Sequence, residues 1–313
     1  MLPRALKFTP EYRDYVWGGQ RLRPGTLTAE AWVIYENDQI AAGPLAGKTL
    51  GEVTAQFGMD LLGKRAMEQR GPRFPLLIKL LDCNEWLSLQ VHPNDQQAVE
   101  LEGSGQNGKT EAWYFLEAAP EAQIIAGLKT GTSAESMTQA IRQGTILDLA
   151  QFIQMKAGDT VFMQAGTIHA LGPGLLVYEV QESSDITYRV FDWNRSQTGR
   201  RVLHIDKSLA VARPAARSQA LPTPALRDGE TLTLCNSEYF TLEILDARKQ
   251  TLELDTHHES FHALTIIDGA ARFSSGGEQL LLSRFDSVLI PAASGVYRLE
   301  PQEGGFRALK SSL

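Results

Sequence analysis

The feature that most constrains the fold of this chain is a pair of segments that occurs twice in the same order. Residues 111–118 align with residues 262–269, and in both copies a polar residue opens an apolar segment that ends in an acidic turn. Residues 158–169 align with residues 285–296 around a shared Asp-x-Val pattern. Because a repeated order of segments indicates a repeated fold, we expect two similar β units.

The second repeated segment resembles a signature motif of cupins, which are small jelly-roll barrels that hold a metal in the barrel mouth. The first copy reads G-D-x-V-x-x-x-A-G-x-x-H and ends in His169, whereas the second copy has Val296 at that position. Gln164 replaces the proline that is usual in the motif, a change at a turn that should not affect the ligand. The sequence therefore predicts a metal site in the first copy alone.

Short apolar or alternating segments bounded by Gly, Pro or Asp predict strands. They cover residues 74–81, 86–91, 112–116, 123–127, 160–164, 175–181, 240–245, 263–267 and 287–290. Helical periodicity covers residues 133–151, capped by Thr132 or Ser133, and more weakly residues 59–69. We predict a mainly β chain of two cupin-type jelly-roll barrels with a small helical insertion. The expected domains are a catalytic one over 1–212, a linker rich in Pro, Ala and Arg over 213–227, and a metal-free one over 228–313.

Four polar residues of the first half could converge on one divalent ion. Gln90 and His92 are two apart on a predicted strand, so their side chains point to the same face, which we expect to be the barrel interior. Glu111 opens the next strand, and His169 closes the hairpin of the second motif. Two imidazoles, a carboxylate and an amide oxygen suit zinc or a similar borderline ion better than calcium. A lone histidine such as His92 is more often an ordinary core residue, and only the grouping favours a metal site.

A second group of histidines invites the same interpretation. His258 and His262 are four residues apart, beside His257 and Glu259. A spacing of four aligns two ligands on a helix, whereas the surrounding pattern is that of a strand. We therefore expect this group to be solvent-exposed and to bind no metal.

Charge and composition exclude several classes of partner. A formal net charge of -7 and a pI near 5.5 give no basic surface for nucleic acid. The first residues lack the apolar region of a secretory signal, and no run of 18 apolar residues is present. We therefore expect a cytoplasmic location and no membrane span. No obligate protein partner is evident. Cys83 and Cys235 are far apart and outside any C-x-x-C spacing, which argues against a disulfide framework or a thiolate metal site.

Five segments, in order, resemble the short bacterial form of type I mannose-6-phosphate isomerase. They are FPLLIKLLD at 74–82, LSLQVHPND at 87–95, GKTEAWY at 108–114, AGTIHALG at 165–172 and QESSDITYRVFD at 181–192. YVWGG at 15–19 and EAW at 30–32 are similar to the opening signatures of that family. The likeness is dense over residues 7–195 and thins beyond them. Several motifs in order are far more specific than any one alone.

The resemblance implies a role for each of ten residues. One zinc ion per chain would be held by Gln90, His92, Glu111 and His169. Residues of the substrate pocket that bind or help bind the phosphate would be Lys79, Ser88 and Lys109. The catalytic set would be Arg189, matched to an arginine regarded as catalytic, with Lys109 and with Asp185 and Glu179 at acidic positions discussed as proton carriers.

The function implied is a zinc-dependent aldose–ketose isomerase that interconverts mannose 6-phosphate and fructose 6-phosphate through an enediolate. A bound cation and Arg189 could both stabilise the oxyanion that develops beside the sugar carbonyl. Lys79 lies inside an apolar strand, which makes a solvated surface charge an awkward explanation, whereas Lys109 lies in a loop where that explanation stays open. Three acids, Glu179, Glu182 and Asp185, lie near Arg189, and the sequence does not choose among them as proton carrier.

Two other functions stay open at this point. The first alternative is a metal-binding cupin that binds or senses a sugar phosphate without catalysis. The second is a metal-free structural role. Turnover distinguishes the isomerase from both, because a binding module would keep zinc and ligand affinity but would not convert the substrate.

Overall fold

The structure is a computed structural model that describes residues 1–196 and 201–313, and these are mainly β, as expected. The strands are β1 (Leu6–Lys7), β2 (Glu11–Arg13), β3 (Glu30–Ile34), β4 (Leu76–Cys83), β5 (Leu89–Val91), β6 (Glu111–Ala118), β7 (Gln123–Leu128), β8 (Ala150–Gln154), β9 (Asp159–Met163), β10 (His169–Leu171), β11 (Leu175–Glu182), β12 (Tyr188–Phe191), β13 (Leu221–Pro222), β14 (Glu230–Asn236), β15 (Thr241–Ala247), β16 (Leu252–Asp255), β17 (His262–Ser275), β18 (Glu278–Ser283), β19 (Ser287–Ile290) and β20 (Val296–Ser312). The helices are α1 (Leu50–Phe57), α2 (Met59–Leu62), α3 (Lys64–Arg70), α4 (Asp95–Glu102), α5 (Ala134–Gln143) and α6 (Ile205–Val211). None of these helices combines the length and the apolar character that crossing a membrane would need.

Hydrogen bonding between neighbours joins these strands into three sheets. A five-stranded sheet has the order β12-β5-β10-β7-β8, and a seven-stranded sheet has the order β13-β9-β6-β11-β4-β3-β2. The third sheet has the order β1-β19-β17-β20-β15-β14, with β16 beside β20 and β18 beside β17. Neighbours such as β5 and β10 are far apart in sequence, so strand pairing brings distant motifs side by side.

Contacts divide the chain into two compact units, each with its own core. The first comprises residues 12–31 and 79–223, here called the central unit. The second comprises residues 1–11, 32–78 and 224–313, here called the terminal unit. The repeated segments at 111–118 and 158–169 fall in the central unit, and their copies fall in the terminal unit. These units differ from the expected domains, which are continuous in sequence and are bounded at residues 212 and 228.

All nine expected strands overlap observed ones, whereas the helix predicted over 133–151 is wrong in its second half. Helix α5 begins after Ser133, whose side chain accepts from the backbone of Ser136, as a cap should. It ends at Gly144, which is left-handed and donates to the carbonyls of Ala140 and Ile141. Residues 146–149 form a 3₁₀ turn, and β8 follows. The helix expected over 59–69 is likewise divided into α2 and α3, with Gly63 between them.

Gly269 allows a test of the close approach between strands β17 and β20. It has φ +66°, and a Cβ there would overlap the carbonyl oxygen of Gly305 in the neighbouring strand β20. Gly277 also has positive φ, +86°, but a Cβ there would meet nothing within 4 Å. We expect Gly269→Ala to reduce the free energy of unfolding by about 3 kcal/mol or more, and Gly277→Ala by about 1 kcal/mol. Chemical denaturation of both variants measures the difference, and equal losses would contradict it.

Candidate metal centre and active site

Three buried side chains of the central unit come together where strands β5, β6 and β10 begin or end. Ligand atoms of His92, Glu111 and His169 all lie within 4.8 Å of one another. Glu111 Oε1 is 3.1 Å from His169 Nε2, and Glu111 Oε2 is 3.7 Å from His92 Nε2. The structure thus groups two imidazoles around one carboxylate.

Backbone carbonyls orient both imidazoles. His92 Nδ1 is 2.8 Å from the carbonyl oxygen of Ile186, and His169 Nδ1 is 2.9 Å from that of Thr167. Because a carbonyl oxygen can only accept, each Nδ1 carries the proton and each Nε2 presents its lone pair to Glu111. Metal-binding histidines are typically held in this way.

Gln90 joins the cluster through strand register. Its Cα is opposite that of His169 in the β5–β10 pair, and its Nε2 is 3.4 Å from His169 Nε2. Rotating the amide by 180° exchanges its nitrogen and oxygen without moving the rest of the side chain. In that orientation the amide oxygen, which is the atom that binds cations, would face the cluster.

The charge state of Glu111 fits a cation site. Burial by itself raises the pKa of this carboxyl, but Lys109, His169 and His92 outweigh burial and hold the pKa well below its usual range. Lys109 Nζ is 3.0 Å from Glu111 Oε2 and 3.1 Å from His92 Nε2. Neither carboxylate oxygen accepts a hydrogen bond of ordinary geometry from the described residues. A buried anion facing two imidazole lone pairs is a donor set suited to a divalent ion.

A cavity of about 370 Å³ in the central unit brings the remaining candidate residues together. The candidates from the sequence that line it are Lys79, Ser88, Gln90, Lys109, Glu179, Asp185 and Arg189. Lys109 is only 4% exposed, so a solvated surface charge is the wrong explanation for it. All ten residues to which the resemblance gave a role are therefore on the cavity wall or in the buried cluster. Glu182, the third acid near Arg189, instead accepts the backbone N–H of Thr110 at 2.9 Å.

Lys79 lies between two carboxylates. Its Nζ is 3.4 Å from Glu179 Oε1 and 3.6 Å from Glu30 Oε2. Burial lowers the pKa of Lys79, but Glu30 and Glu179 outweigh it and raise the pKa above its ordinary value. Glu179 is held from its other oxygen by Trp113, whose Nε1 donates at 2.8 Å. Burial and the neighbouring Glu111 raise the pKa of Glu179, so Glu179 is more readily protonated than Glu111, whose pKa is held low.

Arg189 is anchored by a segment that no motif singled out. Its Cα is opposite that of Gln90 in the β12–β5 pair, and its guanidinium donates to the carbonyl of Val202 at 3.2 Å. His204 and Arg201 line the same cavity, with Arg201 bonded through Nε to Asp192 at 2.9 Å. They lie beyond residue 195, where the resemblance thins, so motif matching gave no signal for them. Glu30 was part of an opening signature, but no role was expected of it.

The second group of histidines is not exposed as a whole, so that expectation is wrong for one member. His262 is only 7% exposed in β17, and its Nδ1 is 2.8 Å from the hydroxyl oxygen of Tyr297. Burial lowers the pKa of His262 to about 3. His257 is exposed and pairs with Asp255 at 3.2 Å. Within residues 1–196 and 201–313, only His92, Glu111 and His169 form a group of three that could hold a metal.

Comparison with known proteins agrees with this site and fold. Residues 5–114 match the family model "Phosphomannose isomerase type I, catalytic domain", and residues 230–305 match "Mannose-6-phosphate isomerase, cupin domain". The fold is therefore of the cupin type, in a form found in sugar-phosphate isomerases.

Individual relatives extend the likeness over nearly the whole chain. The probable mannose-6-phosphate isomerase GmuF of Bacillus subtilis is 32% identical over 96% of this chain and 97% of its own length. The mannose-6-phosphate isomerase of Streptococcus mutans is 35% identical over 88% of this chain and 89% of its own. The solved mannose 6-phosphate isomerase of Bacillus subtilis superposes with a TM-score of 0.87 at 31% identity, covering 99% of this chain and 100% of that one. The chain belongs to the type I mannose-6-phosphate isomerase family, whose members are aldose–ketose isomerases.

The cluster predicts how metal content should respond to substitution. We expect purified protein to carry about one equivalent of divalent metal, and His92→Ala or His169→Ala to lose it, because three-coordinate sites bind far more weakly. His257→Asn is the matched control, since His257 is exposed and its left-handed conformation suits asparagine. Elemental analysis measures the metal. Retention of metal by both alanine variants would contradict the site.

Proposed function

We propose that this chain is a zinc-dependent isomerase that interconverts mannose 6-phosphate and fructose 6-phosphate through an enediolate. The observation that carries the proposal is the cluster of His92, Glu111 and His169 beside a polar cavity that also presents Glu179 and Arg189. The names of the relatives described above support the same substrate. The reaction is an internal redox exchange, in which a proton leaves carbon 2 and another is delivered to carbon 1.

Four side chains would hold the zinc. They are His92 and His169 through Nε2, Glu111 through its carboxylate and Gln90 through its amide oxygen. Two nitrogens and two oxygens suit zinc better than they suit calcium or magnesium, which prefer oxygen alone. When bound, the ion supplies Lewis-acid stabilisation of negative charge on a sugar oxygen.

Glu179 is our proposed proton carrier, with Asp185 as the second candidate on the cavity wall. A carboxyl whose pKa is raised towards neutrality takes and returns a proton more effectively than one held fully ionised. Trp113 fixes one oxygen of Glu179, and the ammonium of Lys79 lies beside the other. This contact would stabilise Glu179 when it is ionised, so the carboxyl could exist in either state.

Lys109 and Arg189 would supply positive charge to the developing enediolate. Lys109 is fixed at the cluster by its 3.0 Å contact with Glu111. Arg189 reaches the cavity one strand away from Gln90. Fixed cations of this kind stabilise an oxyanion without having to reorganise during the reaction.

The phosphate contacts expected from the resemblance were Lys79, Ser88 and Lys109. We keep Ser88 as a proposed phosphate contact, because it lines the cavity and its neutral hydroxyl can donate a hydrogen bond to a phosphate oxygen. Lys79 lies between two carboxylates, which would repel a dianion, and Lys109 is fixed beside Glu111 in the metal cluster, where the reacting carbons would lie. We propose that both lysines act at the sugar end of the substrate.

The same proposal extends to architecture. We propose two jelly-roll barrels with a small helical insertion, a catalytic domain over 1–212, a linker over 213–227 and a C-terminal domain over 228–313 without metal. The cupin-domain match at 230–305 and Val296 in place of a histidine support the last assignment. β13, within the proposed linker, pairs with β9, so part of the linker is ordered against the central unit.

A sugar-phosphate sensor without catalysis is the alternative. It would need the cavity and the cations, but not a buried carboxyl whose pKa is raised beside a buried ammonium. The arrangement of Glu179 and Lys79 therefore favours turnover over binding alone.

The decisive measurement is a coupled assay for fructose 6-phosphate. We expect the purified chain to convert mannose 6-phosphate, a chelator to abolish the conversion and added zinc to restore it. His92→Ala should be inactive and His257→Asn should retain full activity. Protein that holds zinc and binds the substrate but never converts it would refute the isomerase and support the sensor.

Arg189→Ala tests whether the guanidinium of Arg189 stabilises the developing enediolate. We expect kcat to fall by about 100-fold with a smaller change in KM, because the guanidinium is proposed to act on the charge that develops in the transition state. Arg142→Ala is the control, since Arg142 lies on α5 with a side chain that is 61% exposed. An unchanged kcat would exclude a catalytic role for Arg189.

A further inference from the structure

Two hydrogen bonds join His204 to the backbone of Arg189, one from the backbone of His204 and one to its imidazole ring. The backbone N–H of His204 donates to the carbonyl of Arg189 at 2.8 Å, and the backbone N–H of Arg189 donates to His204 Nδ1 at 3.1 Å. In an extended strand the N–H and C=O of one residue point to the same side. His204 is therefore on the side of β12 that faces away from β5.

This contact extends a row of residues across the five-stranded sheet. His169 is opposite Gln90, Gln90 is opposite Arg189, and His204 follows Arg189. Neighbouring strands lie about 4.8 Å apart, so the backbone of Arg189 is about 10 Å from that of His169 and the backbone of His204 about 14 Å. The metal cluster occupies one end of the row, and His204 occupies the other.

A hexose 6-phosphate has a matching polarity. Its reacting carbons 1 and 2 are at one end of the six-carbon chain, and its phosphate is at the other. Carbons placed at the cluster, with Arg189 beside the enediolate, would direct the phosphate further along the row, towards the part of the cavity lined by Arg201 and His204.

Charge distinguishes this end of the cavity from the surroundings of Lys79. Arg195 and Arg201 pair with one buried acid, Asp192, and Arg189 lies within its electrostatic influence. Arg195 also pairs with Glu85, so these three arginines and two acids leave positive charge in excess. Lys79 is flanked by Glu30 and Glu179, so negative charge remains in excess there. A dianion is attracted to the first environment and repelled by the second.

The contact with Arg189 also fixes the chemistry of the imidazole. Because Nδ1 accepts the N–H of Arg189, a neutral ring must carry its proton on Nε2. Burial, followed by Arg189 and Lys207, lowers the pKa of His204 and keeps the ring neutral. The ring edge with Nε2–H is opposite the edge bonded to the backbone, in a side chain that lines the cavity.

We propose that His204 is a substrate-binding residue whose Nε2–H donates a hydrogen bond to the phosphate of the substrate, on the side of Arg189 that faces away from the metal cluster. The assignment rests on the proposed isomerase function and deepens it, because it gives the cavity a phosphate end and hence a basis for preferring phosphorylated sugars. His204 holds the backbone of Arg189 with one nitrogen and binds the phosphate with the other.

Two substitutions separate these two contacts. In His204→Asn the amide oxygen can replace Nδ1 and keep the bond to Arg189, but nothing replaces the Nε2 donor. In His204→Gln the longer side chain can return an N–H towards the position of Nε2. We expect His204→Asn to raise KM for mannose 6-phosphate about tenfold with kcat within about twofold of the parent, and His204→Gln to recover part of the loss.

Direct binding of inorganic phosphate to the zinc-loaded protein, measured by calorimetry, is the second readout. Its dissociation constant should rise about tenfold in His204→Asn. Asp206→Asn is the control, since Asp206 is two residues away with a side chain that is 94% exposed, and it should change neither quantity. All variants should keep the metal content and unfolding midpoint of the parent.

The outcomes are distinguishable. Unchanged KM and unchanged phosphate affinity in His204→Asn would overturn the proposal, and so would a loss of kcat alone, which would reduce His204 to a support for Arg189. A parent protein that binds phosphate through His204 but shows no turnover would refute the isomerase and leave the phosphate contact standing.

Discussion

The buried carboxylate of Glu111 is the constraint on which the site depends. A carboxylate with no exposure to water is stable as an anion only where positive charge or strong donors surround it. Lys109 at 3.0 Å supplies the positive charge, and together with His169 and His92 it holds the pKa of Glu111 low in spite of burial. The imidazoles are in turn oriented by backbone carbonyls of Ile186 and Thr167, so the electrostatics of the cluster depend on correct folding of two loops.

Strand register in the five-stranded sheet fixes which side chains lie next to the cluster. Gln90 lies between His169 on one side and Arg189 on the other because β5 lies between β10 and β12. A slip of one residue would turn each of these side chains to the opposite face, so cluster and cavity exist in one register only. The same geometry orders the cavity, with the cluster at one end of the row and His204 at the other.

Opposite charges in the cavity are kept apart by the same scaffold. Lys79 lies between Glu30 and Glu179, where the two acids keep it charged, while Arg189 and Arg201 lie beside Asp192. The resemblance implied that Lys79 helps to bind the phosphate, and its place in an apolar strand argued against a solvated surface charge. The structure shows that two carboxylates of the protein lie beside this ammonium.

The sequence by itself predicted nine of the strands and the residues of the candidate metal cluster. Alternation and bounding glycines located all nine expected strands, and spacing within LQVH placed Gln90 and His92 on one face. It did not show that Gly144 would end helix α5, because helical periodicity continues past a glycine whose left-handed conformation is a local choice. It did not show the burial of His262, because its four-residue spacing from His258 carries no information about depth in a sheet.

Only the tertiary structure decided which charges meet. Glu30 and Lys79 are 49 positions apart in the sequence, and Arg189 and His204 are 15 positions apart. Short-range patterns specify the direction of a side chain, whereas pKa values, tautomers and the balance of charge depend on distances between side chains brought together by strand pairing. The residue types of the cluster were therefore predictable from the sequence. The sugar end and the phosphate end that we propose for the cavity were not.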